Sequence, residues 1–257
     1  MNNKVYDIAM EAGHILLQNG AEISRVEETM ERICRAYGED NADFFVLSNG
    51  IFTTGGYGTK ESYAKVRHIP VNGARLDKVV AVNQLSREIE EGKYASLEEV
   101  KEQLNTISNM PSSKNWQKIL ASGIGSGFFC VLTGGSILDC MAAFIAGIVL
   151  YIYIIFVAEK YLSKILSNIL GGAIIVMVCI LCLKFNIGNH LENIISGAIM
   201  PMIPGVAFAN GIRDMADGDY ISGAVRLLDA ILRFLCIAIG VGVAFSIYHG
   251  LVGGAIL

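Results

Sequence analysis

Residues capable of chemistry concentrate in one stretch of this sequence, SGAIMPMIPGVAFANGIRDMADGDYISGAVR, residues 196–226. Pro201, Pro204 and Gly205 are followed by Asn210, Arg213, Asp214, Asp217 and Asp219, with long apolar runs on either side. A proline has no N–H, so Pro201 cannot bond the carbonyl of Gly197 and Pro204 cannot bond that of Met200. Unpaired backbone is costly in lipid, so both carbonyls are expected to face a polar cavity and bind water or substrate. A charged group at membrane depth costs at least about 2.5 kcal/mol and marks a pathway. A broken helix followed by Asn, Arg and Asp is how a transport site is built. Arg213 suits a substrate carboxylate, with Asn210 as a second donor. Asp214 or Asp139 suits an amino group or a coupling proton. Arg213 and Asp214 are adjacent, so on a helix they point about 100° apart and are expected to engage separate partners. The plainer alternative is a polar loop after a proline-kinked span.

Asp139 lies in GGSILDCMAAF, at the mouth of an apolar run. It is expected either to cap the helix that starts there or to serve as a substrate or proton site. Other chemistries have little support. Cys179 and Cys182 form a CxxC inside IIVMVCILCLKF, with no second pair and no neighbouring His. They read as small buried apolar residues, with no metal or redox role. His14 and His68 stand alone, and GGYG at 55–58 lacks the GK[ST] of a phosphate loop. No cofactor is expected.

The elements that must position these residues fall into two halves. The 257 residues are 53% hydrophobic and 17% charged, too apolar for an ordinary soluble domain. Residues 1–118 carry 31 Lys, Arg, Asp and Glu, and the longer remainder carries 13. A net charge of −4 without a basic cluster argues against nucleic acid. Asp7 and Glu11 interrupt the opening stretch, so no signal peptide is expected and the first half stays cytoplasmic.

Helical spacing marks Val5, Ile8, Ala12 and Ile15, closed by Asn19-Gly20, then Ile23, Val26, Met30 and Ile33, closed by Gly38. Strands are expected over Phe44–Leu47, Ile51–Tyr57 and Ser62–Pro70, the first two joined by the turn Ser48-Asn49-Gly50. Helix returns from Leu76 to Gly92, and again after Ser96, whose Glu99 completes a capping box. Five spans follow: Trp116–Leu132, Leu138–Ala158, Ile165–Leu183, Leu191–Asn210 and Ala224–Tyr248. The fold class is thus an α-helical integral membrane bundle of five transmembrane helices, residues 114–257, preceded by a small α+β cytoplasmic domain, residues 1–113. Lys114, Lys118, Lys160, Lys164, Arg213 and Arg226 fall on one side, against Lys184 on the other. The N-terminus is therefore expected inside and the C-terminus outside. Glycines at 123, 125, 127, 134, 135, 171, 172, 240 and 242 suit close helix approach.

Three segments resemble the threonine/serine exporter family: GAEISRVEETMERICRAYG at 20–38, GGSILDCMAAFIAG at 134–147 and MPMIPGVAFANGIRDMADGDYISGAVRLLDA at 200–230. The resemblance implies a multi-pass inner-membrane exporter of small polar metabolites, without enzymatic activity. Fused members carry a second membrane part, whereas this chain resembles the split form. It is then expected to form a hetero- or homo-oligomer, completed by a separate small polytopic membrane protein. Split members are associated with succinate-type dicarboxylates, fused ones with threonine and serine. Glu22, Arg25 and Glu27 fall in the first of these segments and are expected to contact another part of the complex. Two other readings compete: a membrane-anchored enzyme, and a regulatory or scaffold subunit whose cytoplasmic domain binds a partner. The absence of any nucleophile–base pair or metal set in the first half weighs against the enzyme.

Overall fold

A computed structural model describes residues 2–56, 62–70, 73–94 and 96–252. In chain order its elements are α1 (Asn2–Gln18), α2 (Ile23–Ala36), β1 (Ala42–Leu47), β2 (Gly50–Gly55), β3 (Tyr63–His68), α3 (Leu76–Glu90), α4 (Leu97–Ser108), α5 (Asn115–Leu132), α6 (Ile137–Tyr153), the single turn α7 (Glu159–Tyr161), α8 (Lys164–Lys184), α9 (Leu191–Ile199), α10 (Gly205–Ala216) and α11 (Tyr220–Val252). A π-helical turn, Ile154–Ala158, joins α6 to α7.

These elements divide into two compact units, Met1–Pro111 with Gly205–Asp229, and Ser112–Pro204 with Ala230–Leu257. The first division falls two residues from the boundary expected at 113/114. Gly205–Asp229, expected in the membrane half, groups instead with the N-terminal elements.

In the first unit α1 is the central helix and touches α2, α3, α4 and β2. Its Val5, Ile8, Ala9, Ala12, Ile15 and Leu16 are all buried. Asn19 donates from Nδ2 to the Ile15 carbonyl at 2.7 Å, and Gly20 turns the chain at φ 82°, a left-handed conformation suited to glycine. α2 buries the stripe Ile23, Val26, Met30 and Ile33, as its 3.6-residue spacing requires. The three strands form an antiparallel meander in the order β1-β2-β3. Leu47 pairs with Gly50 across Ser48-Asn49, the expected hairpin turn. The expectation for Tyr57 and Gly58 lies outside the described residues. At α4, Ser96 Oγ accepts the Glu99 N–H at 3.2 Å.

The second unit is built on close helix approach. α5 packs along α6 and against α9, and α6 and α8 also meet α9. A Cβ on Gly147 would lie 2.4 Å from Ser126 Oγ, and one on Gly172 2.6 Å from the Ile237 carbonyl. Neither distance is tolerable, so glycine sets both crossings. Gly125 and Gly242 have open space instead. Cys179 and Cys182 are free thiols in this core.

The five expected spans are not all matched by helices of sufficient length and apolarity. Ile137–Tyr161, Lys164–Lys184 and Tyr220–Gly250 qualify. Leu191–Met202 and Gly205–Ala216 make a fourth if counted together across their break. α5 falls short because its 18 residues begin with Asn115, Trp116, Gln117 and Lys118.

Candidate functional site

The proline break is built differently from its sequence expectation. α9 stops at Ile199, Met200–Met202 tighten into a 3-10 turn, and Ile203 is extended. The Met200 N–H bonds the Gly197 carbonyl, and the Ile203 N–H bonds that of Met200 at 3.1 Å. Each carbonyl denied a donor by Pro201 or Pro204 thus recovers one a residue earlier. The two are paired rather than open to water or substrate, because a 3-10 turn needs a donor only three residues on. Gly197 also lets α9 lie on α5, since a Cβ there would come 2.6 Å from the Ser126 carbonyl.

Within the first unit, α10 and the start of α11 grip the turn between α1 and α2. Glu22, the residue before α2, makes no side-chain cap. The first N–H of a helix has no partner inside the helix. Asp214 supplies one from 191 positions away, its Oδ1 accepting the Ile23 N–H at 3.1 Å. This carboxylate is fully buried, and its charge suits a helix N-terminus. Arg226 Nη1 stands 3.1 Å from Asp214 Oδ2, without pointing a hydrogen at it, and its Nη2 donates to the Ala21 carbonyl at 2.9 Å. Asn210 donates from Nδ2 to the Gly20 carbonyl at 2.7 Å. Arg213 pairs with Glu22 Oε1, and Arg25 with Oε2 of the same carboxylate at 3.2 Å. Ser24 donates to Asp217 at 3.1 Å.

Arg213 and Asp214 do engage separate partners, as adjacent helical positions must. Asn210, Arg213 and Asp214 come together with Glu22 and Arg25. Asp139, Pro201 and Pro204 belong to the other unit, and Gly205 is an exposed first residue of α10. Glu27 accepts the Val46 N–H at 3.0 Å, which occupies a donor of β1. Burial pushes its carboxyl pKa up, partly offset by that bond. Arg226, Ser24 and Ser222, whose hydroxyl accepts the Ser48 N–H at 3.1 Å, join the site without having been expected there. The signal for Arg226 was present: a cation near the start of a long apolar helix requires a partner.

Two facing glycines bring α10 onto α11. A Cβ on Gly223 would lie 2.8 Å from the Gly211 carbonyl, and one on Gly211 3.2 Å from the Gly223 carbonyl.

In the second unit Asp139 caps a helix. Ser136 Oγ accepts the Asp139 N–H at 3.3 Å, and Asp139 Oδ2 accepts the Ser136 N–H at 2.8 Å, completing a capping box on α6. Oδ1 accepts the N–H groups of Asn189 at 2.5 Å and His190 at 2.9 Å, and His190 Nδ1 lies 2.9 Å from Oδ2. One fully buried carboxylate therefore ties the α5–α6 turn to the α8–α9 turn. The bond to Asp139, then its charge, raises the His190 pKa. Among the described residues no group of three or more His, Cys, Asp or Glu could hold a metal ion.

Long apolar helices together with a discontinuous α+β unit define a helical membrane protein that also contains a mixed unit. Residues 7–248 match the family described as "Putative threonine/serine exporter", and the chain belongs to that family. Among its relatives is the "Probable succinate transporter subunit YjjP" of Escherichia coli (strain K12), 24% identical over 242 residues that cover 94% of this chain and 93% of that protein. The protein of the same name from Klebsiella aerogenes is 24% identical over 241 residues, covering 93% and 92%. No solved structure matches.

Proposed function

We propose that this chain is a subunit of a secondary membrane exporter of small polar metabolites, with succinate-type dicarboxylates as its first substrate class and threonine and serine as its second. The observation that carries this reading is the near end-to-end match to relatives named as succinate transporter subunits. A separate small polytopic membrane protein completes the exporter. The chain crosses the inner membrane five times, with α5 as the least apolar span, its N-terminus cytoplasmic and its C-terminus external.

Arg213 is the residue offered to substrate. Its side chain is 57% exposed, and its partner Glu22 presents the same chemistry as one end of a dicarboxylate. A planar guanidinium suits a carboxylate better than an ammonium does. Asn210 and Asp214 act through the α1–α2 turn that they hold. Asp139, whose hydrogen bonds to Ser136, Asn189 and His190 lie in the second unit, acts as a cap.

Efflux from proteoliposomes tests this. Vesicles preloaded with labelled succinate, threonine or serine would contain this chain alone, the partner alone, or both. Succinate efflux is expected only with both. Efflux from this chain alone would overturn the subunit reading, and efflux of threonine or serine without succinate the substrate order. No efflux in any arrangement would overturn the exporter itself.

A further inference from the structure

Arg226 has no task in the function proposed above, yet it is the most buried cation of the gripped turn. Its side chain is 10% exposed and bridges Asp214 and the Ala21 carbonyl. Asn210 holds the preceding carbonyl, that of Gly20, and Asp214 holds the N–H of Ile23. Gly20 and Ala21 precede the first intrahelical acceptor of α2, the Glu22 carbonyl, so neither has a helical donor. Side chains of α10 and α11 thus fix the backbone on both sides of Glu22, whose carboxylate is then presented to Arg213.

We propose that Arg226 is a positioning residue for export. It fixes the α1–α2 turn on the α10–α11 hairpin, so that Glu22 holds Arg213 in one geometry for substrate. The proposal rests on the exporter reading. A guanidinium can serve a carboxylate and a carbonyl at once, whereas the single ammonium of lysine cannot replace that fork.

The test replaces the grip with a removable bridge. Arg226→Ala is expected to lower succinate efflux about tenfold or more at matched protein level, the scale of a typical coupling between sites. Ser24→Cys and Asp217→Cys stand at a contact of 3.1 Å between the native side chains. A short bis-methanethiosulfonate reagent would link them, and reductant would release them. In the Arg226→Ala background the bridge is expected to restore efflux, and reductant to abolish it again. The same bridge in otherwise wild-type protein should leave efflux unchanged. Single-cysteine variants treated alike control for the native thiols.

Arg226→Lys is expected to remain low until bridged. If Arg226→Ala does not accumulate, Asn210→Ala replaces it, since it spares the ion pair. A severalfold loss restored by the same bridge is expected there. Full efflux from the unbridged variants overturns the proposal, as does a bridged variant that stays inactive or a bridge that blocks the wild type. Wild-type protein without efflux would strike the exporter reading, whereas active wild type beside an unrescued variant strikes Arg226 alone.

Discussion

At the scale of single residues, the two arginines facing α2 should separate stability from transport. Arg213 and Glu22 form an exposed pair, and such pairs contribute at most about 1 kcal/mol. Arg213→Ala should therefore leave thermal unfolding nearly unchanged while abolishing efflux, and wild-type efflux at matched protein level would remove Arg213 from the substrate path. Asp214→Asn keeps an acceptor for the Ile23 N–H but removes the nearest counter-charge of Arg226, leaving the weaker influence of Glu22 and Asp219. Stranding a buried charge costs roughly 3–5 kcal/mol, so this variant should insert, unfold at lower temperature and lose efflux. The cap at Asp139 gives a pH signature. His190 has a raised pKa in the folded protein, so its contribution is complete below the ordinary imidazole value and is lost as pH rises through the raised one. Asp139 and Glu192 are the acids that raise it. Detergent-solubilised protein should therefore lose stability as pH rises above the ordinary imidazole value. His190→Gln should flatten that slope, and an unchanged slope would assign the effect elsewhere.

At the scale of elements, what the sequence makes legible is what local periodicity controls. The stripe Ile23, Val26, Met30 and Ile33 defines α2, and Ser48-Asn49-Gly50 defines the β1–β2 hairpin, because each needs only its own few residues. The cap of α2 was not legible, since its acceptor lies 191 residues away. Glu22, a poor capping residue at the right position, was the one hint. The proline break was legible as a break but not in its bonding, since a 3-10 turn returns both donors. Pro204→Ala restores an N–H at that break and invites continuous helix. It is expected to reduce efflux more than abundance, and a parallel fall of both would make the break purely structural. The meeting of α10 and α11 depends on bare glycine surfaces that no periodicity announces. Gly223→Leu would drive a side chain into the Gly211 carbonyl and the Met215 backbone. Overpacking of this kind costs about 1–3 kcal/mol, so a lowered unfolding temperature is expected, and an unchanged one would mean that the hairpin opens freely.

At the scale of the whole molecule, composition separates a charged stretch from an apolar one, but it cannot report the tertiary contacts that group Gly205–Asp229 with Met1–Pro111. The proposed five crossings predict that reporters fused at Met1 and Leu257 land on opposite faces of the membrane. Reporters on the same face would require an even number of crossings. The division into units also orders events during synthesis. The first unit is interrupted by Ser112–Pro204, 93 residues that belong to the other unit. A ribosome adding about 5–20 residues per second needs roughly 5–20 s to cross that interval. For that time the nascent chain holds α1 and α2 with no Asp214 to cap the second helix and no Arg226 or Asn210 on the turn between them. Completion of the unit that is translated first therefore waits on a segment made after most of the apolar helices.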